Sequence, residues 1–151
     1  MKKVLILGIG NLLQSDDGLG VHIVNEMVHS GIALPEDVEI IDGGTAGLDL
    51  IPLMKEREKI IIVDALSTKD LPGSIYRFTP EHAVQTRSTC SLHEVGITEV
   101  LRILNLLGYN PEVEIIGIVP EDITTTDIYM SDAVKESIPK AIEVILSAAT
   151  I

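Results

Sequence analysis

The sequence has one cysteine, no tryptophan, one phenylalanine, and only 11 lysines and arginines against 23 aspartates and glutamates in 151 residues. A single cysteine excludes an internal disulfide and any cysteine-rich zinc site, and it fits a reducing compartment. The net charge of −12 and the shortage of ring faces argue against nucleic acid, which needs cations for its phosphates and aromatics for its bases. An anionic membrane surface is disfavoured for the same electrostatic reason. Also absent is any run of about 18 apolar residues that could span a bilayer. Lys2-Lys3 before Val4-Leu5-Ile6-Leu7 imitates the start of a secretory signal, but Gly8, Gly10 and Asn11 break the run and two aspartates follow. No small-residue cleavage site appears. The expectation is a cytoplasmic protein with neither a nucleic-acid nor a membrane partner.

What is present is an ordinary globular balance, 46% apolar and 23% charged, over a length that suits a single domain spanning 1–151. Short apolar runs alternate with longer amphipathic ones. Val4 to Ile9 has no polar alternation, as in a strand buried on both faces, and Val38 to Ile41, Ile60 to Val63 and Val113 to Val119 read the same way. Helical spacing appears in Val21, Val24, Met27 and Val28, in Leu48, Ile51, Pro52 and Met54, and in the stretch from Val95 to Leu107. A last helix, Ala133 to Ala148, contains Pro139, which predicts a kink or a new helical start. Between Asp64 and Ser74 there is no room for a helical crossover, and Pro72-Gly73 marks a turn. The strand from Ser74 to Thr79 therefore reads as antiparallel and at an edge. The fold class is an α/β three-layer sandwich: a mostly parallel five-stranded sheet, one antiparallel edge strand, and helices on both faces.

Ligands of open α/β sheets bind beyond the carboxyl ends of the strands. That rule selects Gly8 to Asp17, Asp42 to Gly47, Asp64 to Thr68 and Val119 to Asp122. Gly8-Ile9-Gly10-Asn11-Leu12-Leu13 suggests a dinucleotide fingerprint but has Leu13 in place of the third glycine, and no Gly-Lys-Ser/Thr of a P-loop follows. The two glycines are read as a tight turn. Asp16 and Asp17 precede the first helix, where one carboxylate serves as a cap or meets the positive helix end. Two are more than capping needs. Asp64 ends the most apolar run, where a charge is costly unless paired or bound to a cation. Ser91-Leu92-His93-Glu94 is a capping box that places His93 in a first helical turn, where the dipole favours neutral imidazole, the metal-binding form. Cys90 makes a Cys-x-x-His pair with it but is read as a small core residue. His22 and His29 read as helix-surface residues and His82 as a loop residue. Two carboxylates and one imidazole at one sheet edge form a three-ligand site for a divalent transition metal, with positions left open.

At these residues the sequence resembles the hydrogenase maturation proteases. The resemblance runs through Gly8-Ile9-Gly10-Asn11-Leu12-Leu13 with Asp16-Asp17 and Gly20, then Asp42-Gly43-Gly44-Thr45-Ala46-Gly47 and Asp64-Ala65. It continues in Ser91-Leu92-His93-Glu94-Val95-Gly96 and Gly117-Ile118-Val119-Pro120-Glu121. It implies a metal-dependent endopeptidase that removes a short C-terminal extension from a nickel–iron hydrogenase large-subunit precursor after nickel insertion. The family's metal ligands and catalytic residues map onto Asp17, Asp64 and His93. The first is commonly glutamate in the family; Asp17 aligns with it without a gap, and Asp16 is the neighbouring alternative. The implied cofactor is nickel carried by the substrate, with other divalent transition metals able to occupy the site in vitro. The implied partner is the large-subunit precursor. The Asp42 to Gly47 loop would shape the cleft and Glu121 would stand at its rim. The rival readings are a non-catalytic nickel-binding chaperone or checkpoint module with the same three ligands, and a nucleotide-binding domain on Gly8 and Gly10.

Overall fold

The structure, a computed structural model, describes residues 2–10, 15–66, 68–81, 94–121 and 130–150, with residues 94–96 described by backbone alone. A five-stranded sheet runs through its centre. The strands are β1 (Val4–Ile9), β2 (Val38–Gly44), β3 (Lys59–Ala65), β4 (Ile75–Phe78) and β5 (Glu112–Ile118), in the order β2-β1-β3-β5-β4. All pairs are parallel except β4 with β5, which is antiparallel and forms one edge. The reversal before β4 is local. Gly73 adopts φ +88°, and the Ser74 N–H and hydroxyl both donate to the Leu71 carbonyl, at 3.1 and 2.7 Å. A positive φ costs glycine little, so the turn closes without a helix.

Helices α1 (Leu19–His29) and α4 (Asp132–Ala149) cover one face of the sheet, where Ile6, Ile61 and Ile116 meet Ile23, Val24, Ala141 and Ile145. Helices α2 (Ile51–Met54) and α3 (Glu94–Leu106) cover the other, where Leu5, Leu7, Ile60 and Ile62 meet Met54, Val100 and Leu104. Successive side chains of a strand point to opposite faces, so β1 and the Ile60–Val63 stretch of β3, buried throughout, are apolar at both parities. Each fully buried Leu or Ile contributes about 1.5–3 kcal/mol. The core therefore centres on these two strands.

Three expectations need correction. β2 is not buried on both faces: Glu39, Ile40 and Ile41 are only half-buried, because β2 is the second edge of the sheet. The segment around Leu48 is a short 3-10 turn, Gly47–Leu50, running into the single turn of α2. No new helix starts at Pro139. Helix α4 runs through it uninterrupted. Proline removes one hydrogen bond, while the buried stripe Val134, Ala141, Ile145 and Ala148 holds the helix on both sides of it.

Arg57 follows α2 and ties three segments together. Its Nε donates to the Leu53 carbonyl at 2.8 Å, and its Nη1 donates to the Lys2 carbonyl at 2.7 Å and to Glu39 at 2.8 Å. The side chain is almost wholly buried, whereas Glu39 keeps 40% of its side-chain exposure and remains solvated if the arginine is removed. Arg57→Met keeps the stem and deletes the donors, so we expect a loss of about 2 kcal/mol. An unchanged urea midpoint would contradict this account.

Candidate active site at the carboxyl end of the sheet

The end of β1 carries the geometry on which the site depends. A Cβ on Gly8 would overlap the Gly20 carbonyl oxygen and lie 2.6 and 2.9 Å from the two Val24 methyls; one on Gly20 would overlap the carbonyl oxygens of Val63 and Ile9. Helix α1 thus presses backbone against backbone onto β1 and β3. The close helix–strand approach is made at Gly20, because α1 begins only at Leu19. Gly10 takes φ +143° and packs against the Asp17 carbonyl. The 3-10 turn Ser15–Gly18 is buried throughout and packs against β3. Asp17 and the strand end bearing Asp64 therefore lie at the same edge of the sheet, on neighbouring elements.

Asp16 does not cap α1. The N-cap position is Gly18, with no side-chain capping bond. Asp16 instead accepts hydrogen bonds from across the fold, from the Glu121 N–H at 2.8 Å and from the Ser131 N–H and hydroxyl, both at 2.7 Å. These bonds use both carboxylate oxygens and separate its role from that of its neighbour. Asp64 is 3% exposed, and its Oδ1 accepts the Ala65 N–H at 2.7 Å. Beside it lies a small recess lined by Ile9, Phe78, Ile97, Leu101 and Ile115. At the end of β2, Asp42 accepts the Gly44 N–H at 3.0 Å. Gly44 and Gly47 both have positive φ, and a Cβ on Gly43 would press on Leu7 at 2.8 Å. Glu121 is exposed.

His93, Cys90, Ser91 and His82 lie outside the described residues. His29 is exposed, its Nδ1 2.7 Å from the Asn25 carbonyl; His22 is half-buried rather than on the helix surface. Among the described residues no three His, Cys, Asp or Glu side chains form a metal cluster, and the expected third member, His93, is not one of them. Two buried carboxylates, Asp17 and Asp64, stand on neighbouring elements at the carboxyl end of the sheet, in an interior that is otherwise largely aliphatic. Oxygen donors of this kind suit a divalent cation. Gly20 and Ser131 were not singled out from the sequence for these roles. A glycine two residues after Gly18 is the signal that marks the first, and nothing local marks the second.

The family model for hydrogenase maturation proteases matches residues 21–148. Hydrogenase 2 maturation protease of Escherichia coli strain K12 is 36% identical over 97% of this chain and 90% of its own length. The structure resembles the hydrogenase maturating endopeptidase HybD from Escherichia coli, with a TM-score of 0.85 and 35% identity over 97% of this chain and 91% of that one. It also resembles the NiFe hydrogenase maturation protease HybD from Thermococcus kodakarensis, with a TM-score of 0.84 and 29% identity over 98% and 99% of the two chains. Likeness in both sequence and fold across almost the whole length makes this chain a member of the hydrogenase maturation protease family, and so a peptidase.

Proposed function

We propose that this protein removes the C-terminal extension of a nickel–iron hydrogenase large-subunit precursor after nickel has been inserted. Asp17, Asp64 and His93 contact the nickel that the precursor presents. The observation that carries the reading is the pair of buried carboxylates at the carboxyl end of the sheet, on the 15–18 turn and on β3, in a chain of this family. Two carboxylate oxygens and one neutral imidazole supply three ligands, and the precursor supplies the rest. A three-ligand site without thiolates exchanges its ion more readily than a closed structural site. Nickel then serves as the mark of a finished precursor.

The test strips the purified enzyme with chelator and offers it precursor with and without nickel, free metal having been removed. Intact mass reports the cut. Cleavage of the nickel-loaded form alone is the expected result. Equal cleavage of both forms would point to a metal-independent peptidase, and binding of the loaded form without any cut would point to the chaperone reading.

A further inference from the structure

We infer that Asp16 is a positioning residue: it clamps the turn bearing Asp17 to Glu121 and Ser131, and so sets where the Asp17 carboxylate stands. The inference rests on the reading of Asp17 as a nickel contact. The turn needs a clamp. Ser15 has φ +46°, the only positive φ outside glycine among the described residues, a conformation that persists only where the surroundings impose it. Gly18 brings no side-chain cap to α1. Gly10 closes on the Asp17 backbone from the β1 side, and the Asp16 hydrogen bonds hold the neighbouring residue from the β5 and α4 side.

Attachment of α4 does not require this clamp. The helix is already anchored by Val134, Ala141, Ile145 and Ala148, all fully buried. Ser131 stands at its N-cap yet makes no capping bond; the hydroxyl is spent on Asp16 instead. An apolar residue would fill the position without the cost of a buried charge. What the carboxylate adds is direction, since two backbone N–H groups from distant segments are received at defined oxygens.

Two variants attack the clamp from opposite sides. In Asp16→Asn one oxygen becomes an NH2, so in either amide orientation the N–H of Glu121 or of Ser131 faces a donor. Ser131 has φ −61°, within the range proline requires, so Ser131→Pro deletes its N–H and hydroxyl donors with the backbone in place and the charge unchanged. Ser131→Ala removes the hydroxyl alone and keeps the N–H, so it is the intermediate case. With nickel-loaded precursor, Asp16→Asn and Ser131→Pro are each expected to lower kcat about 10- to 100-fold, the range for residues that orient metal ligands. KM should rise as well, because a displaced Asp17 also weakens the contact to the nickel that the precursor carries. Titration with cobalt(II) alone, read by visible absorption, should show binding weakened about tenfold in both. Ser131→Ala, which loses one of the three hydrogen bonds of the clamp, should fall between wild type and Ser131→Pro in both readouts.

Wild-type kcat in Ser131→Pro overturns the inference, as does activity that falls only in step with the melting temperature. Loss of cobalt binding in Asp16→Asn with unchanged binding in Ser131→Pro would make Asp16 itself the ligand, and also overturns it. Should Asp16→Asn fail to fold, Ser131→Pro carries the test. If the wild type does not cut the precursor, the proposed function fails separately, and the cobalt contrast between wild type and the two variants still decides the clamp.

Discussion

Asp64→Asn is expected to abolish processing, by at least about a thousandfold in kcat/KM, while the protein stays folded and melts at the same temperature or higher. The magnitude is that of removing a member of a catalytic set that acts as a unit. The direction of the stability change follows from burial. At 3% exposure an ionised carboxylate carries a desolvation cost that the neutral amide largely avoids. The amide oxygen can still accept the Ala65 N–H that Oδ1 now takes. Asp17→Asn and His93→Ala should lose activity to the same extent, because each removes one of the three proposed ligands. Circular dichroism melts and precursor cleavage, run on the same samples, check this. Full cleavage by folded Asp64→Asn would remove Asp64 from the site, and full cleavage by folded His93→Ala would remove the histidine.

The second large effect is structural. Gly20→Ala should destabilise the protein by about 3 kcal/mol or more, the upper range for an added carbon in a packed interior. Most overpacked sites relax by rotating a side chain. Here the obstructing atoms are the backbone oxygens of Val63 and Ile9, which belong to hydrogen-bonded central strands and cannot turn aside. Relief requires α1 to lift from the sheet, and the 15–18 turn, contiguous with α1, would move with it. Any Gly20→Ala protein that folds should therefore also lose cleavage. Urea denaturation measures the first effect; a midpoint within experimental error of wild type would refute the close approach.

The strand assignments were legible because burial on both faces leaves a continuous apolar run, and β1, β3 and the later half of β5 are such strands. Edge position is less legible. Val38 to Ile41 has nearly the composition of a central strand, and only the neighbour on one side of β2 reveals its exposure. The antiparallel β4 could be read from chain length, since a crossover helix does not fit between Asp64 and Ser74. The likeness to a protease family was also legible, in ordered motifs that the whole-chain comparisons bear out.

By itself the sequence determined the α/β class, the antiparallel edge, and an acidic carboxyl end carrying Asp16, Asp17 and Asp64. These depend on local composition and on how far a short connection can reach. Only the tertiary structure separated Asp16 from Asp17. The partners of Asp16 stand 105 and 115 residues away along the chain, and the two key donors are backbone N–H groups, which every residue but proline possesses and no side-chain pattern records. The role of Gly20 was hidden for the same reason: what makes glycine necessary there is the backbone of other strands, and that is assembled only when the chain folds.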